Sequence, residues 1–150
     1  MAVARAGVGQ GKRSVLGVLV DVTDYTDATE RIISAAQERR PYAVTALAVH
    51  GVMTGVQDPA HNARLNSFDL VTPDGQPVRW ALNLVHHAGL GERVYGPTLT
   101  LKVLERAAAE GLPVYLYGST EPTLERLVPA LTKMFPALQF AGVEASKFRS

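Results

Sequence analysis

The chain has 150 residues, of which 47% are hydrophobic and 19% charged, a composition typical of one globular domain and not of a disordered segment. The formal net charge is +1 and the basic residues form no stripe, so a nucleic-acid partner is not indicated. Cysteine is absent, which excludes disulfides, thiolate zinc sites and cysteine nucleophiles. No apolar run approaches the ~20 residues of a membrane-spanning helix, and no signal peptide is visible.

Strand-like and helix-like patterns alternate along the chain after residues 1–13, which are predicted to be a flexible N-terminal tail. Short apolar runs rich in β-branched residues predict buried strands at 14–22, 42–50, 69–72, 112–119 and 137–143. Helical spacing of apolar residues predicts helices at 27–40, 76–87, 97–111 and 121–135, with two short helices in 51–68.

This order of elements predicts an α/β fold. The strand runs are continuously apolar, which suits a mostly parallel sheet with helices on both faces. The prediction is therefore a Rossmann-like, doubly wound domain over residues 14–150. The sequence stops shortly after its last predicted strand, so we expect a domain that is incomplete at its C-terminus or completed by a partner.

Polar and glycine-rich segments follow the carboxyl ends of several predicted strands, where ligands bind in such sheets. These segments are His50-Gly51, 73–76 and 117–120, and a loop at 91–96 enters a further helix. Several helix N-termini should therefore face one crevice, which suits an anion such as a diphosphate.

The stretch DLVTPDGQPVRW (69–80) allows two interpretations of Asp74. In the first, Asp74 is a turn residue: Pro73 fixes φ, the Asp74 side chain bonds its own backbone, and Gly75 takes a positive φ. In the second, Asp74 is held at a strand end because it acts as a general base, a hydroxyl anchor or a metal ligand. The pattern alone leaves both open.

Three further residues are candidates with equally open roles. His50, at the end of a predicted strand, could be a base, a phosphate donor or a hydrogen-bonded core histidine. Arg93 could be a solvated surface charge or a phosphate clamp. Ser119 lies in YGST, which is not the GxSxG pattern of a hydrolase nucleophile, and Gly118 would let a ligand or helix approach closely. The four histidines form no HExxH spacing, so no metal site is predicted.

Four segments, in this order, resemble the bacterial WecG/TagA/CpsF glycosyltransferase family. They are DLVTPDGQPVRW (69–80), ERVYGPTL (92–99), GLPVYLYGST (111–120) and MFPALQFAGV (134–143). The family shows a strand ending in Asp-Gly, an Arg-Val-x-Gly element, a strand ending at glycine and a Tyr/Phe-Pro-x-Leu segment that ends in glycine. The resemblance covers residues 42 to 143.

The resemblance implies an inverting transferase with no cofactor and no essential metal. Its members transfer a sugar from a UDP-sugar donor to a lipid-linked, polyprenyl diphosphate acceptor in the synthesis of cell-surface polysaccharide. They act in the cytoplasm as peripheral proteins at the inner face of the membrane, and a homo-oligomer is compatible with the family. The resemblance makes Asp74 the catalytic base and puts Gly96 and Gly118 among the glycines that line the donor site. His50 is the second candidate for the catalytic residue, and we also predict donor-site roles for Gly75, Gln76, Arg93, Thr98 and Ser119.

The chain departs from the family at three places. Ala48-Val49-His50 stands where Thr-Pro-Asn is usual, Gly96-Pro97-Thr98 replaces Gly-x-Asp, and Gly118-Ser119 replaces a pair of glycines. An alternative function is therefore a nucleotide- or sugar-binding module without catalysis. A Rossmann-type oxidoreductase is disfavoured, because no GxGxxG follows the first predicted strand.

Overall fold

The computed structural model describes residues 7–147. These residues form helices and short strands in the order β1 (Lys12–Val15), β2 (Val18–Asp21), α1 (Tyr25–Gln37), β3 (Val44–Leu47), α2 (Val49–Gln57), α3 (Pro59–Asn66), β4 (Leu70–Pro73), α4 (Gln76–His86), α5 (Gly96–Glu110), β5 (Val114–Tyr117), α6 (Glu121–Met134) and β6 (Phe140–Glu144). The chain divides into two compact units, residues 1–100 and 101–150.

The first unit contains two pairs of strands. β1 and β2 form an antiparallel hairpin, and β3 pairs in parallel with β4. The buried carboxylate of Asp21, at the end of β2, accepts a hydrogen bond of 2.7 Å from the backbone N–H of Val71 in β4. Asp21 therefore joins the hairpin to the parallel pair.

One apolar core lies between the strands of the first unit and helices α2, α3 and α4. Each helix contributes at least one buried side chain: Val52 from α2, Leu65 from α3, and Val78 and Leu82 from α4. The strands contribute valines and leucines from both pairs, Val15, Val18, Val20, Leu47 and Val71. Because these residues form one cluster, α2, α3 and α4 form one helical layer on the same side of the strands.

The second unit contains most of α5 together with β5, α6 and β6. β5 and β6 pair in parallel, with an irregularity between Val114 and Tyr115. Its core contains Leu104 and Ala107 from α5, Leu131 from α6 and Leu138 from the loop before β6.

The prediction of a mixed α/β fold is confirmed, and every predicted helix is present with its ends shifted by a few residues. Asp58 caps α3 ahead of Pro59, which explains the break between the two short helices. The pairings within residues 7–147 are three separate two-stranded sheets. A single doubly wound sheet therefore stays a prediction.

The predicted strand at 14–22 is wrong, because a turn at Leu16 and Gly17 folds it into the β1–β2 hairpin. The predicted tail also overlaps described residues. Gly9 donates a backbone hydrogen bond to Val22, and β1 begins at Lys12. Residues 1–6 of that tail lie outside the described residues. Within residues 7–147, no helix is both long and apolar enough to cross a bilayer.

Candidate active site

Asp74 lies at the carboxyl ends of both parallel strands of the first unit. It follows Pro73, the last residue of β4, and its backbone N–H donates a hydrogen bond of 3.1 Å to the carbonyl of Leu47, the last residue of β3. β4 is buried along its whole length, whereas Asp74 itself is only partly buried. A rigid strand therefore ends in a carboxylate that solvent can reach.

The Asp74 carboxylate contacts the start of α5. Its Oδ2 atom accepts a hydrogen bond of 3.2 Å from the backbone N–H of Gly96, the first residue of that helix. The backbone of the preceding loop is bound to the same strand, because Val94 donates a hydrogen bond of 2.9 Å to the carbonyl of Pro73. Within residues 7–147, no other hydrogen bond or ion pair to the carboxylate is present, so Oδ1 is open to a ligand.

Close packing favours glycine at position 96. A β-carbon there would lie 3.1 Å from the Cβ of Ala46 and 3.3 Å from Oδ2 of Asp74, tighter than nine in ten real contacts of this kind. A side chain at this position would push the Asp74 carboxylate away from the helix. The glycine therefore sets the distance between Asp74 and α5.

The N-termini of α2 and α4 both lie beside Gly75, the residue that follows Asp74. Gly75 caps α4, and a β-carbon on it would lie 3.5 Å from both Ala48 Cα and Val49 N, at the start of α2. The capping residues of these helices are Ala48 and Gly75, which have no side chain able to bond the first N–H groups. Those N–H groups are available to an anion.

The expected positive φ at Gly75 is wrong. Its φ is −83°, in the extended region that most residues adopt. The turn after β4 therefore does not need glycine for its backbone conformation. The nearest neighbours of Gly75 are Ala48 and Val49, and a β-carbon on Gly75 would meet them at ordinary van der Waals distances.

Polar side chains from α4 and α1 hold the loop before α5. Arg79 Nη1 donates to the carbonyls of Leu90 at 3.1 Å and Gly91 at 2.7 Å. Asn83 exchanges two hydrogen bonds with the backbone of Leu90, at 2.8 and 2.9 Å. The hydroxyl of Tyr25 accepts a hydrogen bond of 3.0 Å from the N–H of Tyr95, next to Gly96. These side chains fix the path of the loop that brings Gly96 to Asp74.

His50 is not at a strand end. β3 stops at Leu47, and His50 is the second residue of α2 with an exposed side chain, so its interpretation as a buried core histidine is wrong. Arg93 is partly buried in the loop before α5, and its guanidinium stacks over the ring of Tyr95 at 4.7 Å. Gln76 is exposed at the start of α4, and Thr98 lies in the first turn of α5.

Gly118 and Ser119 belong to the second unit, between β5 and α6. Gly118 has φ +123° and Ser119 has φ +59°, so both residues adopt left-handed backbone conformations. The turn is fixed by backbone hydrogen bonds from Gly118 to Glu144 and from Ser146 to Ser119, at 3.0 and 3.1 Å. A β-carbon on Gly118 would meet no atom within 4 Å, so the backbone conformation, and not crowding, requires glycine here.

No group of three or more histidines, aspartates and glutamates able to hold a metal ion occurs within residues 7–147. Asp74 lines neither of the two most prominent clefts in the described part of the chain. One, of about 240 Å³, lies in the first unit and is lined by Val8, Asp24, Gly89, Leu90, Gly91 and Glu92. The other, of about 530 Å³, lies between α6 and β6 in the second unit. The chemistry of the Asp74 carboxylate and the adjoining helix N-termini defines the candidate site better than cavity size does.

The chain belongs to the glycosyl transferase WecG/TagA/CpsF family, whose sequence profile matches residues 13–150. It is also similar to an N-acetylglucosaminyldiphosphoundecaprenol N-acetyl-beta-D-mannosaminyltransferase from Bacillus spizizenii, with 28% identity over 87 residues. That match covers 58% of this chain and 34% of the relative, so the chain matches about a third of the relative's length. The predicted family is therefore confirmed.

Proposed function

We propose that this chain is an inverting glycosyltransferase domain of bacterial cell-surface polysaccharide synthesis. It transfers a sugar from a UDP-sugar to a polyprenyl diphosphate-linked acceptor at the cytoplasmic face of the membrane. Family membership supports the reaction class. The name of the Bacillus relative supports an acceptor built on undecaprenyl diphosphate and an N-acetylmannosaminyl group as the transferred sugar.

The observation that carries the proposal is the position of Asp74. It is partly exposed at the ends of two parallel strands, and one carboxylate oxygen is fixed by the N–H of Gly96. The other oxygen is open among residues 7–147 and can take a proton. A carboxylate held in this way suits general-base catalysis, since small misplacements of a catalytic group cost large factors in rate.

In the proposed reaction, the acceptor hydroxyl attacks the anomeric carbon of the donor sugar from the side opposite the leaving group. Asp74 Oδ1 takes the hydroxyl proton as the new C–O bond forms. The bond between the anomeric carbon and the diphosphate oxygen breaks, and its electron pair leaves with UDP. Attack from the opposite side inverts the anomeric configuration.

In the absence of a metal ion, the protein itself must supply positive potential to the leaving diphosphate. The open N–H groups at the starts of α2 and α4 adjoin Gly75, beside the base, and supply such potential. Gln76 and Thr98 lie in the first turns of α4 and α5, where their side chains suit contacts with the donor. Arg93 completes the donor-binding residues proposed in the first unit, and Gly118 and Ser119, in the second unit, stay donor-site predictions from the sequence.

His50 is the second candidate for the base. It is exposed in the first turn of α2, the helix whose start contacts Gly75. Its place beside the N–H groups proposed to bind the diphosphate suits a neutral hydrogen-bond donor to phosphate better than a base, because the helix N-terminus disfavours the positive charge that a histidine base acquires. We assign His50 to donor binding and Asp74 to proton abstraction.

Isothermal titration calorimetry of the full chain with UDP, UDP-sugars and NAD tests the donor assignment. We expect UDP and at least one UDP-N-acetylhexosamine to bind in the absence of divalent metal. Binding of NAD without binding of UDP would contradict the proposal and restore the oxidoreductase interpretation. Binding of UDP with no transfer to any polyprenyl diphosphate-linked acceptor would favour the non-catalytic binding module.

A further inference from the structure

One face of the β5–β6 pair in the second unit carries two exposed tyrosines. Val114 and Leu116 of β5 pack against the core of the unit, whereas Tyr115 is 56% exposed and Tyr117 60%. Successive side chains of a strand point to opposite faces, so both tyrosines lie on the face turned away from that core. Parallel strands usually have both faces covered, so an open face with two aromatic rings suggests a ligand.

An extra residue in β6 determines what lies opposite Tyr115. Val114 of β5 pairs with Phe140 of β6. The next residue of β5, Tyr115, pairs with Gly142, so Ala141 is an insertion in β6, as in a β-bulge. A shift of one residue moves the following side chains to the other face, so the insertion puts Gly142, and not Ala141, opposite Tyr115. Bulges re-aim side chains in this way and are frequent beside active sites.

The ring of Tyr115 lies directly over Gly142. A β-carbon on that glycine would be nearest to Cε2 of the Tyr115 ring, and it would lie 2.8 Å from Cδ2, closer than real β-carbons come to other atoms. The φ of Gly142 is outside the left-handed region, so the packing of the ring, and not the backbone conformation, favours glycine here. One side of the ring is therefore covered by β6, and its other side is open.

The hydroxyl of Tyr115 is also held. It donates a hydrogen bond of 3.0 Å to Oε2 of Glu144, which lies on the same face as Gly142, two residues earlier in β6. Oε1 of Glu144 forms an ion pair of 3.1 Å with the ammonium of Lys147. The ring is thus fixed at its hydroxyl by Glu144 and on one side by Gly142. Because the ring is preorganised, a ligand that stacks on it loses little affinity to side-chain ordering.

The open side of the ring and the charges around it define the class of ligand. An exposed aromatic side suits stacking with another ring, including the C–H groups on one side of a pyranose. β5, β6 and residues 145–147 carry one carboxylate and one ammonium, Glu144 and Lys147, which pair with each other. They offer no net positive charge to a phosphate group. A neutral sugar fits better, since its hydroxyls can donate to further lone pairs of the carboxylate oxygens.

We propose that the second unit binds a neutral glycan, with one pyranose stacked on the open side of the Tyr115 ring. We call the surface formed by Tyr115, Tyr117, Gly142 and Glu144 the tyrosine face. Tyr117 lies two residues further along β5, about 7 Å away, and contacts the next sugar of the glycan. The carboxylate of Glu144 accepts hydrogen bonds from sugar hydroxyls. This site goes beyond the proposed function, because it requires neither UDP nor Asp74.

The binding experiment uses the full chain and N,N′-diacetylchitobiose, a neutral disaccharide whose acetamido methyl groups add apolar contact area. Saturation-transfer NMR detects the sugar protons that contact the protein, and an NMR titration gives the dissociation constant. We expect a dissociation constant of about 1 mM, because a shallow site leaves much of the sugar in water. The monosaccharide N-acetylglucosamine should bind more weakly, since it cannot contact both tyrosines. Saturating UDP should leave chitobiose binding unchanged.

Substitutions in the tyrosine face test this geometry. Tyr115→Ala removes the stacking ring and should weaken chitobiose binding about tenfold. Gly142→Ala keeps the tyrosine but puts a methyl group where its ring lies, so the ring must move and binding should weaken by a similar factor. Tyr115→Phe keeps the ring and loses only the hydrogen bond to Glu144, so binding should weaken about threefold.

Trp80→Ala is the matched control. Trp80 is also an exposed aromatic residue, at 57%, but it lies on α4 in the first unit. Its removal should leave chitobiose binding unchanged, which would show that the sugar selects the tyrosine face and not any exposed ring. Circular dichroism of each variant shows whether it is folded. If Tyr115→Ala does not fold, Gly142→Ala and Tyr115→Phe carry the test.

Three results would overturn the proposal. The first is the absence of saturation transfer to chitobiose, or chitobiose binding that folded Tyr115→Ala and Gly142→Ala retain in full. The second is displacement of chitobiose by UDP, which would assign Tyr115 to the donor site. The third is a dimer, detected by analytical ultracentrifugation, that Tyr115→Ala dissociates and that chitobiose does not. That result would assign the tyrosine face to a second copy of the chain.

Discussion

The carboxylate of Asp74 and the backbone N–H of Gly96 are joined by a hydrogen bond of 3.2 Å across 22 positions of sequence. This bond places a carboxylate at the N-terminus of α5, where the helix favours negative charge. It also leaves one oxygen of the carboxylate available for chemistry. The same contact therefore serves two functions, since it stabilises the start of α5 and fixes the proposed base.

Asp74→Asn separates these two roles. An asparagine side-chain oxygen can still accept the Gly96 hydrogen bond, but it cannot take a proton from the acceptor. We expect transfer from a UDP-sugar to a polyprenyl diphosphate-linked acceptor to fall about 10²–10⁴-fold. UDP binding by calorimetry and the melting temperature should stay close to those of the unchanged protein.

His50→Gln is the matched comparison for Asp74→Asn. It should weaken UDP binding while leaving a measurable rate at saturating donor. Full activity of Asp74→Asn, or loss of activity that follows unfolding alone, would return Asp74 to the turn-residue interpretation. His50 would then be the leading candidate for the base.

Gly96→Ala tests whether close packing positions Asp74. The added methyl group would lie 3.1 Å from Ala46 Cβ and 3.3 Å from Asp74 Oδ2, so one of these neighbours must move. We expect a loss of stability of about 1–3 kcal/mol, typical of overpacking, measured by urea unfolding. Transfer should fall further than the stability loss explains, because the base is displaced.

Gly75→Ala is the control at the neighbouring glycine. Its φ of −83° suits alanine, and the added methyl group would meet Ala48 and Val49 at ordinary distances of 3.5 Å or more. We expect stability to be unchanged or to rise by about 0.4–1 kcal/mol, through a less flexible unfolded chain. Equal destabilisation by Gly75→Ala and Gly96→Ala would contradict the packing argument.

Transfer should not require a divalent metal ion. The proposed charge stabilisation comes from helix N–H groups beside Gly75 and from Arg93. We expect the rate of sugar transfer to be the same in excess EDTA and in added magnesium or manganese. A rate that disappears with EDTA and returns with either metal would show that a metal ion, and not the helix N-termini, neutralises the leaving diphosphate.

Local patterns in the sequence predicted the helices and most strands because each depends on residues close in the chain. Asp58-Pro59 marked the start of α3, and the apolar run before Asp74 marked β4. The Asp74–Gly96 contact could not be predicted as a bond, since it depends on how β4 and the loop before α5 pack. The sequence did place both residues in the candidate site, through their match to family motifs.

The hairpin turn was missed for a physical reason. Leu16-Gly17 lacks the asparagine or aspartate that ordinarily marks a two-residue turn, and the apolar residues on both sides run on as in one buried strand. His50 was misplaced because residues 46–49, across the end of β3 and the start of α2, are all apolar. β3 ends at Leu47 and α2 begins with the same kind of residue, so no polar residue marks the boundary.

Asp21 links the β1–β2 hairpin to β4, although no motif in the sequence marks it as a candidate. Its side chain is 2% exposed, and it accepts hydrogen bonds from Val71 N at 2.7 Å and from Arg31 Nη1 at 3.1 Å. Asp21→Ala would leave the buried Val71 N–H without this acceptor and remove a charge partner of Arg31. We therefore expect the free energy of unfolding to fall by about 3 kcal/mol in urea titrations.

Glu38→Ala is the matched control for the loss of a carboxylate that pairs with arginine. Glu38 contacts Arg40 at the same 3.1 Å, but both side chains are exposed, so the pair should contribute at most about 0.5 kcal/mol. If Asp21→Ala and Glu38→Ala had equal effects, the link between the hairpin and the parallel strands would not depend on Asp21. A large difference would identify Asp21 as the residue that joins β2 to β4, the strand that carries the proposed base.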